Sequence, residues 1–254
     1  MDEETIFNMI NLKVRTEYSF RKAYGRLPDI ISTTKGNAIG IADFGTWGWV
    51  KFKKECEKQN KKPIFGIEFA VCLNADEKTK QPTSYMTMIA KNKSGVKTIY
   101  EMATYSNNYF YYEPRLDYEK LLDFCNDDVI LLSGSNPQMA FFKDYNNFYL
   151  EASPRDPSWL RKINDVSKKY NKPIVACSDN QYPRPEHKGV YEIVVGDRNR
   201  YSRTTIQHIA TEWELKVAMP MIPESAYTIT NDIADSIETF DLPTATNVKY
   251  NNKE

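Results

Sequence analysis

Short apolar runs alternate along this chain with stretches whose apolar positions recur every three to four residues. The runs at 9–14, 38–42, 64–73, 85–90, 129–132, 148–151 and 174–177 have the length and composition of buried strands. Between them, Val96, Ile99, Tyr100 and Ala103 share one helical face, as do Leu160, Ile163, Val166 and Tyr170. Ser94-Gly95 and Asp156-Pro157 precede those stripes and predict helix starts. A last stripe of Ala226, Ile229, Ile233 and Ile237 follows Pro223-Glu224, and proline suits a first helical turn. The interval 74–82 is polar and predicts an exposed hairpin or loop. Residues after Pro243 are polar as well, so one domain is expected over 1–243, with 244–254 as a tail or linker. Strands alternating with helices predict a parallel α/β fold, and seven of them suit a barrel with its functional groups at strand C-terminal ends.

Composition narrows this picture. A chain of 254 residues is long enough to bury a substantial core. Its 34 basic residues match 34 acidic ones, which argues against binding nucleic acid through bulk electrostatics and leaves a local patch open. The cysteines Cys56, Cys72, Cys125 and Cys177 form no C-x-x-C pair, so neither a zinc knuckle nor a disulfide framework is indicated. Met1-Asp2-Glu3-Glu4 lacks the layout of a signal peptide, and no apolar run reaches membrane length. A soluble, cytoplasmic protein with reduced thiols and no membrane partner is expected.

Four segments carry the chemistry. They are Asn11-Leu12-Lys13-Val14-Arg15-Thr16-Glu17-Tyr18-Ser19, Ile41-Ala42-Asp43-Phe44-Gly45, Lys62-Pro63-Ile64-Phe65-Gly66-Ile67-Glu68, and Val175-Ala176-Cys177-Ser178-Asp179-Asn180-Gln181-Tyr182. In order and spacing they resemble the signature segments of the PHP domain (polymerase and histidinol phosphatase), in particular those of bacterial DNA polymerase III alpha subunits. The family writes them roughly as His-x-His-Thr-Glu-Tyr-Ser, Thr-Asp-His-Gly, Gly-x-Glu and Asn-Asp-x-His-Tyr. The resemblance implies a distorted (β/α)7 barrel and covers nearly the whole chain.

In active relatives, divalent metals held by His, Asp and Glu activate water against a phosphoester. Carried onto this sequence, the ligand positions fall at Lys13, Arg15, Lys22, Phe44, Glu68, Tyr85, Ser135, Asp179 and Gln181. Of these, only Glu68 and Asp179 keep metal-ligand chemistry. His187 and His208 lie outside the matched positions and read as surface or capping histidines. No metal, no cofactor and no catalytic residue is therefore expected. Three arrangements stay open. Lys13 and Arg15 can neutralise Glu68 and Asp179 as a structural cluster. Alternatively Lys13, Arg15 and Lys22 can hold a phosphate. In the third, Glu68, Asp179 and Asp43 hold one magnesium or manganese for residual phosphoesterase or 3′–5′ exonuclease chemistry.

Weaker signals lie elsewhere. Arg198-Asn199-Arg200-Tyr201-Ser202-Arg203 has the mix of a single-strand nucleic-acid contact or of a solvated loop. Lys51, Lys53, Lys54, Lys58, Lys61 and Lys62 read as a solvated helix face and turn. Trp47-Gly48-Trp49 and the aromatic run at 105–112 read equally as partner surface or as packing. The resemblance thus implies a catalytically inactive domain acting as a scaffold or protein-binding module in DNA replication, with replication proteins as favoured partners. Abundant Lys, Asn, Tyr and Ile suggest AT-rich codons and a phage or small bacterial source. No polymerase catalytic segment follows residue 243, which leaves a stand-alone accessory and the N-terminal piece of a polymerase both open.

Overall fold

The computed structural model describes residues 9–135, 137–196 and 206–243. The arginine-rich segment at 198–203 and the tail at 244–254 lie outside the described residues. Within them the strands are β1 (Asn11–Val14), β2 (Ala38–Asp43), β3 (Lys62–Cys72), β4 (Ser84–Ala90), β5 (Arg115–Asp117), β6 (Val129–Leu132), β7 (Phe148–Ala152) and β8 (Ile174–Ala176). They form a curled sheet in the order β1-β2-β3-β4-β6-β7-β8, with β5 paired to β3. Helices Trp49–Lys58 and Pro157–Tyr170 join the parallel pairs β2–β3 and β7–β8, as the crossovers of parallel strands require, and Lys93–Asn108 follows β4. The stripe at 226–237 forms the helix Ser225–Ser236.

One expectation needs correction. β4 runs antiparallel to both of its neighbours, β3 and β6, so the sheet is not uniformly parallel. The reason is the connection: the polar interval before β4 joins two strands without a helix, and a strand that follows such a loop returns antiparallel. This reversal matters for the site, because it brings the first residues of β4 to the end of the sheet where the parallel strands finish.

The sheet has two packed faces. Leu12, Ala38, Ile64, Ile89, Ile130, Leu132 and Val175 fill the interior together with Ile233, Ala234 and Ile237 at the end of the last helix. Val129, Leu131, Phe65, Ile67, Phe69 and Leu150 point outward to the covering helices, the two-residue alternation of a pleated strand. Lys62 Nζ donates to the carbonyls of Ala234 (2.7 Å) and Ile237 (2.5 Å), and Lys61 Nζ to those of Thr34 (2.5 Å) and Gly36 (2.9 Å). These two lysines therefore tie backbone ends together, whereas Lys51, Lys54 and Lys58 are exposed as expected. Cys56, Cys72 and Cys177 are buried free thiols, and Cys125 is a half-buried one.

β1 carries a bulge. Asn11 pairs with Ile39 and Val14 with Ile41, so three steps on β1 face two on β2. A bulge shifts the phase of the side chains beyond it. Leu12 packs in the interior, and after the irregularity Lys13 and Arg15 point inward too, where strict alternation would send them out. The seam between β1 and the segment after β8 is closed by a side chain. Asn180 Oδ1 accepts from Arg15 N (3.0 Å) and its Nδ2 donates to Arg15 O (3.1 Å), so one carboxamide takes the place of a peptide group in the ladder.

Candidate functional site

Inside the sheet, at the end where the parallel strands finish, five charged side chains meet out of contact with water. Arg15 grips Glu68 in a two-pronged contact, Nε to Oε2 at 3.0 Å and Nη2 to Oε1 at 2.6 Å. Its Nη1 bonds Asp179. Lys13 Nζ lies 2.9 Å from Glu68 Oε1, 2.9 Å from Glu151 Oε1 and 3.5 Å from Asp179 Oδ1. Each of these five residues is at least nine-tenths buried. Two cations thus face three carboxylates, and Arg155, exposed at the rim, brings the remaining positive charge 3.1 Å from Asp179 Oδ2.

Burial alone pushes every one of these groups toward its neutral form. For Lys13 that pull is outweighed by Asp179, Glu151 and Glu68, and its ammonium is held well above the usual lysine range. Arg15 is likewise held charged against burial, by Asp179 and Glu68. Against the same penalty, Arg15 and Lys13 keep Glu68 and Asp179 below the usual carboxylate range. Glu151 goes the other way. Burial raises its carboxyl, Lys13 compensates only in part, and the charge of Asp179 adds to the rise. Its Oε2 has no hydrogen-bond partner among the described residues.

The remaining matched positions form a second layer. Lys22 sits 3.5 Å above the centre of the Phe44 ring and 4.9 Å from that of Tyr85, with Glu113 Oε2 at 3.0 Å. Tyr85, brought here by the reversal of β4, donates its hydroxyl to Glu113 Oε1 at 2.7 Å. Lys22 therefore shares a cleft of about 210 Å³ with Arg15 but not with Lys13, and its own counter-ion is Glu113. In the orientation its neighbours require, the Gln181 amide accepts from Arg15 Nη1 (3.1 Å) and donates to the Lys22 carbonyl (2.6 Å). Ser135 is exposed and hydrogen-bonds Asp156. Gly134 before it adopts φ +58° against the Tyr85 carbonyl, where a Cβ would clash at 1.8 Å. Asp43 stands apart: it accepts from Thr16 N (2.8 Å), Thr16 Oγ1 (2.6 Å) and the Ser19 hydroxyl, while burial raises its carboxyl.

Sequence reasoning missed Glu151 and Glu113. Glu151 closes a predicted strand, and an acid at a strand end is a usable signal in such a sheet. Glu113 follows the aromatic run and left no comparable trace. His208 is buried, with Nε2 3.0 Å from Glu214 Oε1 in the capping box of the helix Glu212–Ala218. His187, half-buried, packs edge-on against Tyr24.

This donor set does not fit a divalent cation. Both oxygens of Glu68 and both of Asp179 lie in ion pairs with arginine or lysine, and a positive Nζ stands among the carboxylates. Among the described residues, no group of three or more His, Cys, Asp or Glu side chains is arranged to hold a metal ion.

Comparison with known proteins adds the family. The chain is 25% identical over 226 residues to the DNA polymerase III subunit alpha of Aquifex aeolicus, covering 74% of this chain and 19% of that protein. It is 23% identical over 209 residues to the corresponding subunit of Halalkalibacterium halodurans, covering 73% and 18%. It thus spans about a fifth of the length of these curated relatives. A solved chain from Bifidobacterium adolescentis, assigned as a metal-dependent phosphoesterase, superposes with a TM-score of 0.48 at 8% identity over 67% of this chain and 86% of that one. No helix among the described residues is long and apolar enough to cross a membrane. The PHP domain model matches residues 11–172, well over half the chain, and the protein belongs to the PHP domain family.

Proposed function

We propose that this protein is a catalytically silent PHP domain that works as a structural and protein-docking module in DNA replication. The observation that carries this reading is the ion cluster: Lys13 and Arg15 occupy the space between Glu68, Glu151 and Asp179 and pair with both oxygens of Glu68, with Asp179 and with one oxygen of Glu151. Hydrolysis of a phosphoester at neutral pH needs an activated water, and a metal-bound hydroxide is the usual source in this class of fold. Neither histidine touches the cluster to act as a base in its place. The replication setting is supported by the kinship with polymerase III alpha subunits, and a docking role by what remains to such a domain once chemistry is removed. The unit extends to about residue 243, followed by a tail or linker. A phage source, a cytoplasmic location, and a life as a stand-alone accessory or as part of a longer polymerase belong to the same proposal.

A second reading has one observation in its favour. Arg21, Lys22 and Arg155 all line the small cleft beside Arg15, which suits a phosphate held without metal. Against it, Lys22 and Arg155 already have carboxylate partners. The deciding experiment is hydrolysis of single-stranded DNA and of a generic phosphodiester, with magnesium and manganese supplied. Wild type is run beside Glu68→Ala/Asp179→Ala, and no turnover is expected from either. Turnover in wild type that vanishes in the double variant would overturn catalytic silence, and saturable binding of inorganic phosphate without turnover would favour the second reading.

A further inference from the structure

Two aromatic segments that the sequence left undecided converge on one groove. Trp47, Phe110 and Tyr112 are 72, 53 and 87% exposed, and Phe20, from the turn after β1, is 83% exposed. All four line a single cavity of about 500 Å³. Pockets of this size take a small ligand or a partner's side chains. Trp49, two residues from Trp47, is buried instead, so the tryptophan pair divides its labour between surface and core.

The rim is braced at Trp47, and its backbone is unusual at two other points. The Trp47 ring lies over Gly45, where any Cβ would come within 2.6 Å of it. Tyr112 adopts φ +62° and Arg21, next to Phe20, φ +58°. The left-handed region is uncommon for bulky residues, and strain of this kind concentrates at functional sites. Large aromatic side chains fixed before binding lose little entropy on binding, which is the property of interface anchors.

Charge selects the occupant. The surface charges in the lining are Lys22 and Glu113, and they pair with each other at 3.0 Å. In a chain with 27% charged residues, this is a neutral apolar stretch. A nucleic-acid strand needs unpaired cations along its backbone, and this groove has none to give. We infer that the groove between Phe20, Trp47, Phe110 and Tyr112 docks a peptide segment of a partner protein, one that carries bulky apolar anchors and few charges. The inference rests on the docking role proposed above and gives it a place.

The test is selection of a random dodecapeptide phage library on the immobilised full chain, in parallel with Trp47→Ala/Tyr112→Ala. Both replaced residues are exposed, and circular dichroism checks that the variant folds; Phe20→Ser serves as a second variant. Wild type should enrich sequences with two or more bulky apolar residues and few charges. Their synthetic versions should bind the variants about tenfold more weakly or worse. No enrichment, enrichment of charged sequences, or equal binding to wild type and variants would overturn the inference. Oligo(dT) binding that the variants lose would assign the groove to nucleic acid instead. These outcomes are independent of the hydrolysis assay, so a failed groove leaves catalytic silence standing, and turnover leaves the groove standing.

Discussion

The cluster inside the sheet and the Lys22–Glu113 pair at its rim join the same kinds of charge under opposite conditions. Lys13, Arg15 and their three acids are cut off from water, whereas the side chains of Lys22 and Glu113 keep 41 and 28% of their exposure. An ion leaving water loses several kcal/mol of hydration, so a buried charge survives only where partners surround it. At the rim, water itself is an adequate partner, and an ion pair there is worth about 0–1 kcal/mol. The difference teaches that solvent access sets the structural weight of a charge in this protein. The inner group is a fixed part of the core, and the outer pair is free to reorganise around whatever enters the groove.

The sharpest way to break this comparison is to remove one charge from each region. Arg15→Ala leaves Glu68 and Asp179 buried without their guanidinium and should cost about 3–5 kcal/mol of stability in urea unfolding. Lys22→Ala should cost less than about 1 kcal/mol. Losses of similar size would dissolve the distinction. Adding Glu68→Ala to the Arg15 variant should cost less than the sum of the two single changes, because the stranded acid is then gone.

Acid should act next. Glu68 and Asp179 are held below their ordinary values of 4.5 and 3.8, so the folded state binds their protons less readily than the unfolded state does. Their contribution is complete above about pH 4.5 and is lost as pH falls through the folded values. Asp179→Asn should flatten the acid limb of the stability curve, by on the order of 2 kcal/mol between pH 5 and 2. An acid limb unchanged in the variant would mean that Asp179 is not held by the cations.

The smallest effect belongs to Glu151. Its carboxyl is raised above 4.5, so ionising it costs stability as pH rises through the folded value. Glu151→Gln should cost about 1 kcal/mol near pH 4.5 and less at neutral pH, since the variant escapes that ionisation. A penalty that grows toward neutral pH would show Glu151 to be a fully charged member of the cluster.

Much of the frame was legible because periodicity reports burial directly. All seven predicted strands exist, since each is a run of apolar residues with one face inside and one face under a helix. The reversed β4 was not read, because direction is a property of the connection and the apolar run carries no arrow. Strand β5 was missed as well: Arg115–Asp117 holds one apolar residue between two charged ones, so no apolar run shows, whereas the equally short β8 is apolar throughout. The convergence of Lys13, Arg15, Glu68 and Asp179 was anticipated from motif order. Lys22 shares the small cleft with Arg15, and its side chain turns to Glu113, a partner that sequence spacing cannot place. The bulge in β1 was equally hidden, although it is what aims both cations inward.

The carboxamide that closes the seam has a consequence in time. Asn180 and Arg15 are separated by 165 positions, and their paired hydrogen bonds hold the first strand to the segment beyond the last. A ribosome adding about 5–20 residues per second needs roughly 8–33 s to cover that interval. Until then β1 has its neighbour β2 on one edge and no seam partner on the other, and of the acids that meet Lys13 and Arg15 it is Asp179 that comes last. The first strand of the described sheet is therefore among the last to be secured, and the growing chain must carry an open strand edge until residue 180 arrives.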